Sequence, residues 1–204
     1  MNDASSPAAG PDGPGLPRLL LGVCGSGNIL ALPQYLLALR TGPAAAVRVV
    51  MTRTAAALMP ASTVRLVCED VYVDGADELD PGHVALAAWA DRVVLLPATA
   101  NMLGQAAHGL ASGLLSSTLL AHESPVLFFP SMNLRMWERP AVRRNVALLR
   151  ADGHVVVEPV PVDAWQLSTR DVRKNLGLPA PATVAAMVGE FCRPPGPRPA
   201  PPAG

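Results

Sequence analysis

Apolar and polar positions along this chain fall into a repeated alternation of short apolar runs and longer amphipathic stretches. The clearest run is Arg92-Val93-Val94-Leu95-Leu96, which breaks into Pro97-Ala98-Thr99-Ala100-Asn101. An unbroken aliphatic run predicts a strand buried on both faces, and the small and hydroxyl residues behind it predict a helix start. The pattern recurs: Pro125-Val126-Leu127-Phe128-Phe129 breaks into Pro130-Ser131-Met132-Asn133-Leu134-Arg135-Met136-Trp137. Two strands thus end in a proline turn with an asparagine just beyond it, at the edge where open α/β sheets bind ligands. Asparagine offers an amide donor and acceptor, which suits a heteroaromatic ring edge or a carboxylate.

The rest of the chain follows the same alternation. Leu19-Leu20-Leu21-Gly22-Val23 predicts the first strand, followed by Gly25-Ser26-Gly27-Asn28 and a helix over residues 29–40. A strand, a glycine-serine turn and a helix start make either a phosphate cradle or a plain tight turn. Val47-Arg48-Val49-Val50-Met51 is a second strand that ends in Thr52-Arg53-Thr54, where each threonine is a helix cap or a ligand contact. Further helices are expected over residues 60–69, 106–120, 139–150 and 179–191, and short strands over 71–73 and 154–157, the latter as the last strand. Residues 74–82 form a turn-rich loop that delivers His83. The expectation is an α/β fold, a Rossmann-like (flavodoxin-like) three-layer sandwich with a parallel sheet, in one domain over residues 18–192. The Pro-, Gly- and Ala-rich segments 1–17 and 193–204 are expected to be disordered tails.

Composition narrows the function classes. Half of the 204 residues are hydrophobic and 16% are charged, which favours a large core and subunit interfaces. Sixteen basic and sixteen acidic residues cancel, so no nucleic-acid or membrane-surface partner is expected. The apolar stretches are interrupted by Asp91, Arg92 and Pro97 and are too short for a membrane span. Three cysteines and no charged-then-apolar leader predict a soluble protein of a reducing cytoplasm. Cys24, Cys68 and Cys192 lack metal-ligand spacing, no metal site is expected, and Cys24 reads as a small buried hydrophobe.

Three ordered motifs carry a family resemblance that covers roughly residues 19–158. Pro97-Ala98-Thr99-Ala100-Asn101 resembles the proline-alanine-serine-alanine-asparagine motif of the homo-oligomeric flavin-containing cysteine decarboxylases. Pro130-Ser131-Met132-Asn133-Leu134-Arg135-Met136-Trp137 resembles that family's proline-x-methionine-asparagine-x-x-methionine-tryptophan motif. The segment His83-Val84-Ala85-Leu86-Ala87-Ala88-Trp89-Ala90-Asp91 is similar to its histidine-containing helix.

The resemblance implies a flavin, FMN or alternatively FAD, with its phosphate end at Gly25, Ser26, Thr52 and Thr54 and its ring near Pro97, Ala98, Thr99 and Asn101. It implies His83 as the proton-handling catalytic residue, although a lone histidine at a helix start is by itself a surface or capping residue. Asn133 is implied to bind the substrate carboxylate, with Met132 near flavin or substrate, although methionines at helical spacing are by themselves core. Ser112-Gly113 departs from the family, which carries an aspartate there. The family's pantothenate-pathway branch carries a glycine-rich clamp with a reactive cysteine after the last strand, and here no cysteine lies between Glu158 and Cys192. That absence points to the branch acting on peptides, with the substrate clamp within residues 158–179.

The implied reaction is oxidative decarboxylation of the C-terminal cysteine of a ribosomal precursor peptide to an aminoenethiol, as in lantibiotic maturation. Decarboxylation of phosphopantothenoylcysteine in coenzyme A synthesis is one alternative, and a non-catalytic flavin-fold regulatory subunit is another. The resemblance also implies a homotrimer, or trimers gathered into a dodecamer, with flavin sites at subunit interfaces.

Overall fold

The computed structural model describes residues 15–76, 81–166 and 170–193. Six parallel strands form one sheet: β1 (Arg18–Val23), β2 (Ala46–Met51), β3 (Asp70–Val73), β4 (Arg92–Ala98), β5 (Val126–Pro130) and β6 (Val155–Val156). Their spatial order is β3-β2-β1-β4-β5-β6, with β2 and β4 both paired in parallel to β1. The chain winds outward in one direction from β1 and then in the other from β4. This Rossmann-type order leaves a crevice at the carboxyl ends of β1 and β4, where the connections diverge to opposite faces.

The two sheet faces are filled by alternate residues of the same strands. Leu19, Leu21, Val94, Leu96 and Phe129 pack on one face against α1 (Leu32–Arg40) and α9 (Pro181–Cys192). Leu20, Val93, Leu95 and Phe128 pack on the other, against α4 (His83–Trp89), α5 (Ala100–Ala107), α6 (Leu114–Ala121) and α8 (Pro140–Ala151). Burial on both sides is why these strands carry no polar alternation. Pro97 lacks an N–H for the ladder, and the pairing of β4 with β5 slips between Leu95 and Ala98. The Leu96–Pro97 peptide is cis.

Four expectations are corrected. The stretch 29–40 divides into a 3-10 helix at Gly27–Ala31 and then α1, whose Pro33 lies in its first turn. The helix over 60–69 shrinks to α3 (Ala61–Val64), which follows α2 (Arg53–Leu58). Glu69 is drawn to the sheet instead: its N–H donates to the Val47 carbonyl at 2.9 Å and its carboxylate accepts from the Val47 N–H. The 106–120 pattern is two helices, α5 and α6, broken at Gly109, whose φ of +62° ends α5 in the left-handed region. Nor is the strand at 155–156 the last. A separate antiparallel hairpin follows, β7 (Val160–Gln166) paired with β8 (Asp171–Gly177), which prolines and charges concealed in the sequence. Of the expected tails at 1–17 and 193–204, residues 1–14 and 194–204 lie outside the described residues.

Two histidines at the amino edge of the sheet set an acid limit on stability. His154 Nδ1 accepts from the Val126 N–H at 3.1 Å, and its ring stands edge-on to Phe128. His122 Nδ1 lies 3.4 Å from the Ala87 carbonyl, and its buried Nε2 has no hydrogen-bond partner. Burial pushes both imidazoles below the ordinary histidine value. Unfolded histidine protonates near pH 6.5, so below that pH the unfolded chain takes up protons that the folded chain resists. Melting temperature is therefore expected to be flat above about pH 7 and to fall between about pH 6.5 and 5, with a shallower fall in His122→Gln. Asp91, held below its usual range by the Arg18 guanidinium, sheds its contribution only at lower pH, through the carboxylate range.

Candidate functional site

The turn after β1 is drawn tightly against its neighbours. The Cys24 N–H donates to the Pro97 carbonyl at 3.0 Å and the Thr52 N–H to the Val23 carbonyl at 2.9 Å. A Cβ on Gly25 would lie 2.4 Å from Thr54 Cγ2 and 2.7 Å from Thr54 Cβ, so the β1 and β2 turns touch only because Gly25 has no side chain. Gly25→Ala is expected to destabilise the fold by about 1–3 kcal/mol through overpacking. Thermal melts check it. The buried Cys24 thiol is pushed up to about 11, chiefly by desolvation, so it stays a thiol at neutral pH and serves as packing.

Ser26 accepts from the Asn28 N–H at 3.3 Å, which caps the 3-10 helix, and its Oγ lies 2.8 Å from Ser131 Oγ. Asn28 Nδ2 donates to Ser131 Oγ at 2.8 Å, and the Ser131 N–H donates to the Ala98 carbonyl at 2.8 Å. Asn28 and Ser131 were not singled out in the sequence. Ser131 is the x of the second motif, and only the adjacency of the β1, β4 and β5 ends brings it to Ser26.

On the β2 side of the crevice, Thr52 Oγ1 accepts from the Ala55 N–H at 3.2 Å and Thr99 Oγ1 from the Met102 N–H at 3.4 Å. Both threonines cap helices, and each keeps a hydroxyl proton to donate. Thr52, Thr54 and Asn101 line a cavity of about 360 Å³ with Arg53, Asp74, Gln105 and Ser112. Arg53 is a further residue that sequence reasoning passed over. Its Nε donates to the Asp74 carbonyl at 3.2 Å and its guanidinium lies over Gly75, whose φ of +80° and missing Cβ make room for it. Asp74 Oδ1 accepts from the Leu115 N–H at 2.9 Å at the start of α6, and a Cβ on Gly113 would sit 3.1 Å from Asp74 Oδ2. The carboxylate of Asp74, just past the end of β3, thus lies against the Ser112-Gly113 turn.

Pro97 and Ala98 are buried in the end of β4, where their carbonyls tie the β1 and β5 turns. After β5, Asn133 is exposed and caps α7 (Leu134–Trp137): its Oδ1 accepts from the Met136 N–H at 2.9 Å. Met132 and Trp137 are buried in the core under the α5–α8 face. His83 is the first residue of α4, preceded by Gly82 at φ +74°, and its side chain is exposed. It does not line the cavity that holds Thr52, Thr54 and Asn101, and neither does Asn133. Thr52, Thr54 and Asn101 thus share one cavity, with Gly25 packed against Thr54, whereas His83 and Asn133 lie outside its lining.

The flavoprotein family's model matches residues 13–175. This chain belongs to the flavoprotein family. It is 43% identical over 165 residues to mersacidin decarboxylase of Bacillus sp. (strain HIL-Y85/54728), over 80% of this chain and 84% of that one. The structure of MrsD from Bacillus sp. HIL-Y85/54728 superposes with a TM-score of 0.75 at 39% identity, covering 87% of this chain and 96% of that one. That of SpaF, an FMN-dependent cysteine decarboxylase, does so with a TM-score of 0.70 at 39% identity, covering 86% and 97%. The fold of this flavoprotein is that of the cysteine decarboxylases.

The residues present fit a flavin. Two strand-end turns approach to within a missing Cβ at Gly25, four hydroxyls (Ser26, Thr52, Thr54 and Ser131) gather around them, and a guanidinium sits on the cavity rim. Hydroxyls, amides at helix starts and a cation are what a phosphate ester needs. Among the described residues no group of acids, histidines and cysteines could hold a metal ion, and no helix is long and apolar enough to cross a membrane.

Proposed function

We propose that this flavoprotein is an FMN-dependent peptidyl-cysteine decarboxylase, converting the C-terminal cysteine of a precursor peptide to an aminoenethiol. The observation that carries the reading is the placing of both asparagine motifs at the ends of adjoining strands β4 and β5, beside the turns of β1 and β2. The kinship to mersacidin decarboxylase and SpaF supports it. FMN, when bound, supplies the two-electron oxidation of the cysteine side chain that makes its sulfur an electron sink for loss of carbon dioxide. Ser26, Thr52 and Thr54, joined by Arg53, hold the phosphate end, and Asn101 hydrogen-bonds the ring edge. The Asn133 amide holds the substrate carboxylate and Met132 packs beneath it. His83 takes the thiol proton.

A homo-oligomer completes the site in this reading. His83 and the neighbouring Val84 are exposed, Val84 by 65%, and Leu30 in the 3-10 helix behind Ser26 is 80% exposed. Large apolar side chains left bare next to site residues fit a surface that a second copy covers. The β7–β8 hairpin is proposed to hold the peptide, and it carries no cysteine, which disfavours the pantothenate-pathway substrate. Three free cysteines fit a cytoplasmic location.

The test is to identify the chromophore released from the purified protein and then to incubate the holoprotein with a synthetic peptide ending in cysteine. Loss of carbon dioxide and two hydrogens by mass spectrometry is the expected result. A flavin-loaded protein that leaves every cysteine-terminated peptide unchanged would refute the enzymatic reading and favour the regulatory subunit.

A further inference from the structure

Asn175 joins the hairpin to the turn that carries Asn133. Its Oδ1 accepts from the Leu134 N–H at 3.2 Å and from the Leu176 N–H at 2.8 Å. Leu134 is the first residue of α7 and Asn133 is its cap, so two asparagine side chains accept from N–H groups of its first turn. A helix of four residues cannot order its own amino end, because its first N–H groups have no partner within it. The hairpin, for its part, is anchored at its base: Leu176 packs against the core of the α5–α8 face and Gly177 is buried, whereas residues 171–174 are exposed. Asn175 stands at the boundary between the anchored and exposed parts of β8, where it bonds the Leu134 amide.

We propose that Asn175 is a positioning residue that couples peptide seated on the hairpin to the orientation of the Asn133 amide. This rests on the proposed function. Contacts made by residues upstream of the cysteine are remote from the reacting atoms, and such contacts raise kcat only if they orient the reacting end. The Asn175 to Leu134 hydrogen bond provides that route. Water can replace it at this half-exposed position, so its loss disturbs placement more than folding.

The bond can be cut from either side. Asn175→Ala removes the acceptor. Leu134→Pro removes the donor at the first position of a helix, which proline favours, and Asn133 already has the extended φ of −70° and ψ of 157° that a following proline requires. With a synthetic peptide that ends in cysteine and is long enough to lie along the hairpin, each variant is expected to lower kcat about tenfold. KM should change by less than about threefold, and the double variant should be no worse than either single. Asn175→Asp, which keeps an acceptor, should recover most of the rate, and a cysteine-terminated dipeptide should show little difference between variants and parent.

Hydrogen exchange of residues 133–137 reads the same coupling without turnover. Peptide binding should protect this segment in the parent protein and not in Asn175→Ala, while the hairpin stays protected in both. A parent protein that binds and protects but does not decarboxylate would overturn the enzymatic reading and leave the coupling standing. Equal protection in parent and variants, additive rate losses or no rescue by Asn175→Asp would overturn the coupling.

Discussion

His83→Asn is expected to lower decarboxylation of a cysteine-terminated peptide by at least about 100-fold while the flavin stays bound. The magnitude is that of a positioned proton acceptor, about 10² to 10⁴ in rate. An imidazole nitrogen can accept the proton of a thiol, and asparagine keeps a polar side chain that cannot do so. The substitution is also mild for the fold: His83 is exposed at a helix start behind Gly82, where asparagine is tolerated and surface changes stay within about 0.5 kcal/mol. Loss of rate with an unchanged melting temperature and an unchanged flavin spectrum would therefore report chemistry. Full turnover by this variant would remove His83 from the mechanism.

Asn133→Asp is the second large effect, expected at about 100-fold or more in kcat/KM. Asp keeps the oxygen that accepts from the Met136 N–H at 2.9 Å, so the cap of α7 survives and stability should hold. What changes is the face turned to the substrate. An amide that can donate to a carboxylate becomes an anion that repels it, which removes a charge-assisted hydrogen bond of about 1.5–3 kcal/mol and adds like-charge repulsion. Equilibrium binding of the corresponding peptide amide, which cannot be decarboxylated, separates the two roles: with no carboxylate to repel, the amide should bind parent and variant alike. Equal kcat/KM of parent and Asn133→Asp on the free acid would show that Asn133 serves only as a cap.

These two residues also illustrate how far the sequence could be read. The strands Leu19–Val23 and Val93–Leu96 were legible because burial on both faces leaves no polar position in them. Their parallel order followed from the helical stretches between them. The proline turns before Asn101 and Asn133 were legible as strand ends, since proline cannot continue a ladder. The hairpin at Val160–Gln166 and Asp171–Gly177 was not legible, because its exposed face carries charges and its strands lack the apolar density of the central sheet. The helix over 60–69 failed for a related reason. Glu69 has good helical propensity, but its backbone and carboxylate both bind Val47 in β2, a contact no local pattern contains.

By itself the sequence determined the central strands and most of the helices between them, the sheet edge at which β4 and β5 end in proline turns, and the residue types in those turns. These depend on periodicity and on turn residues, which are local properties of the chain. Only the tertiary structure decided which of those residues meet. It set Ser26 against Ser131 across 105 positions, laid Arg53 over Gly75, placed Asp74 against the Ser112-Gly113 turn, and tied Asn175 to Leu134. Each of these contacts is fixed by strand order and by close approach through a glycine or a helix start. Strand order is a property of the folded sheet, because a strand's neighbours are chosen by packing on both faces and not by its own residues.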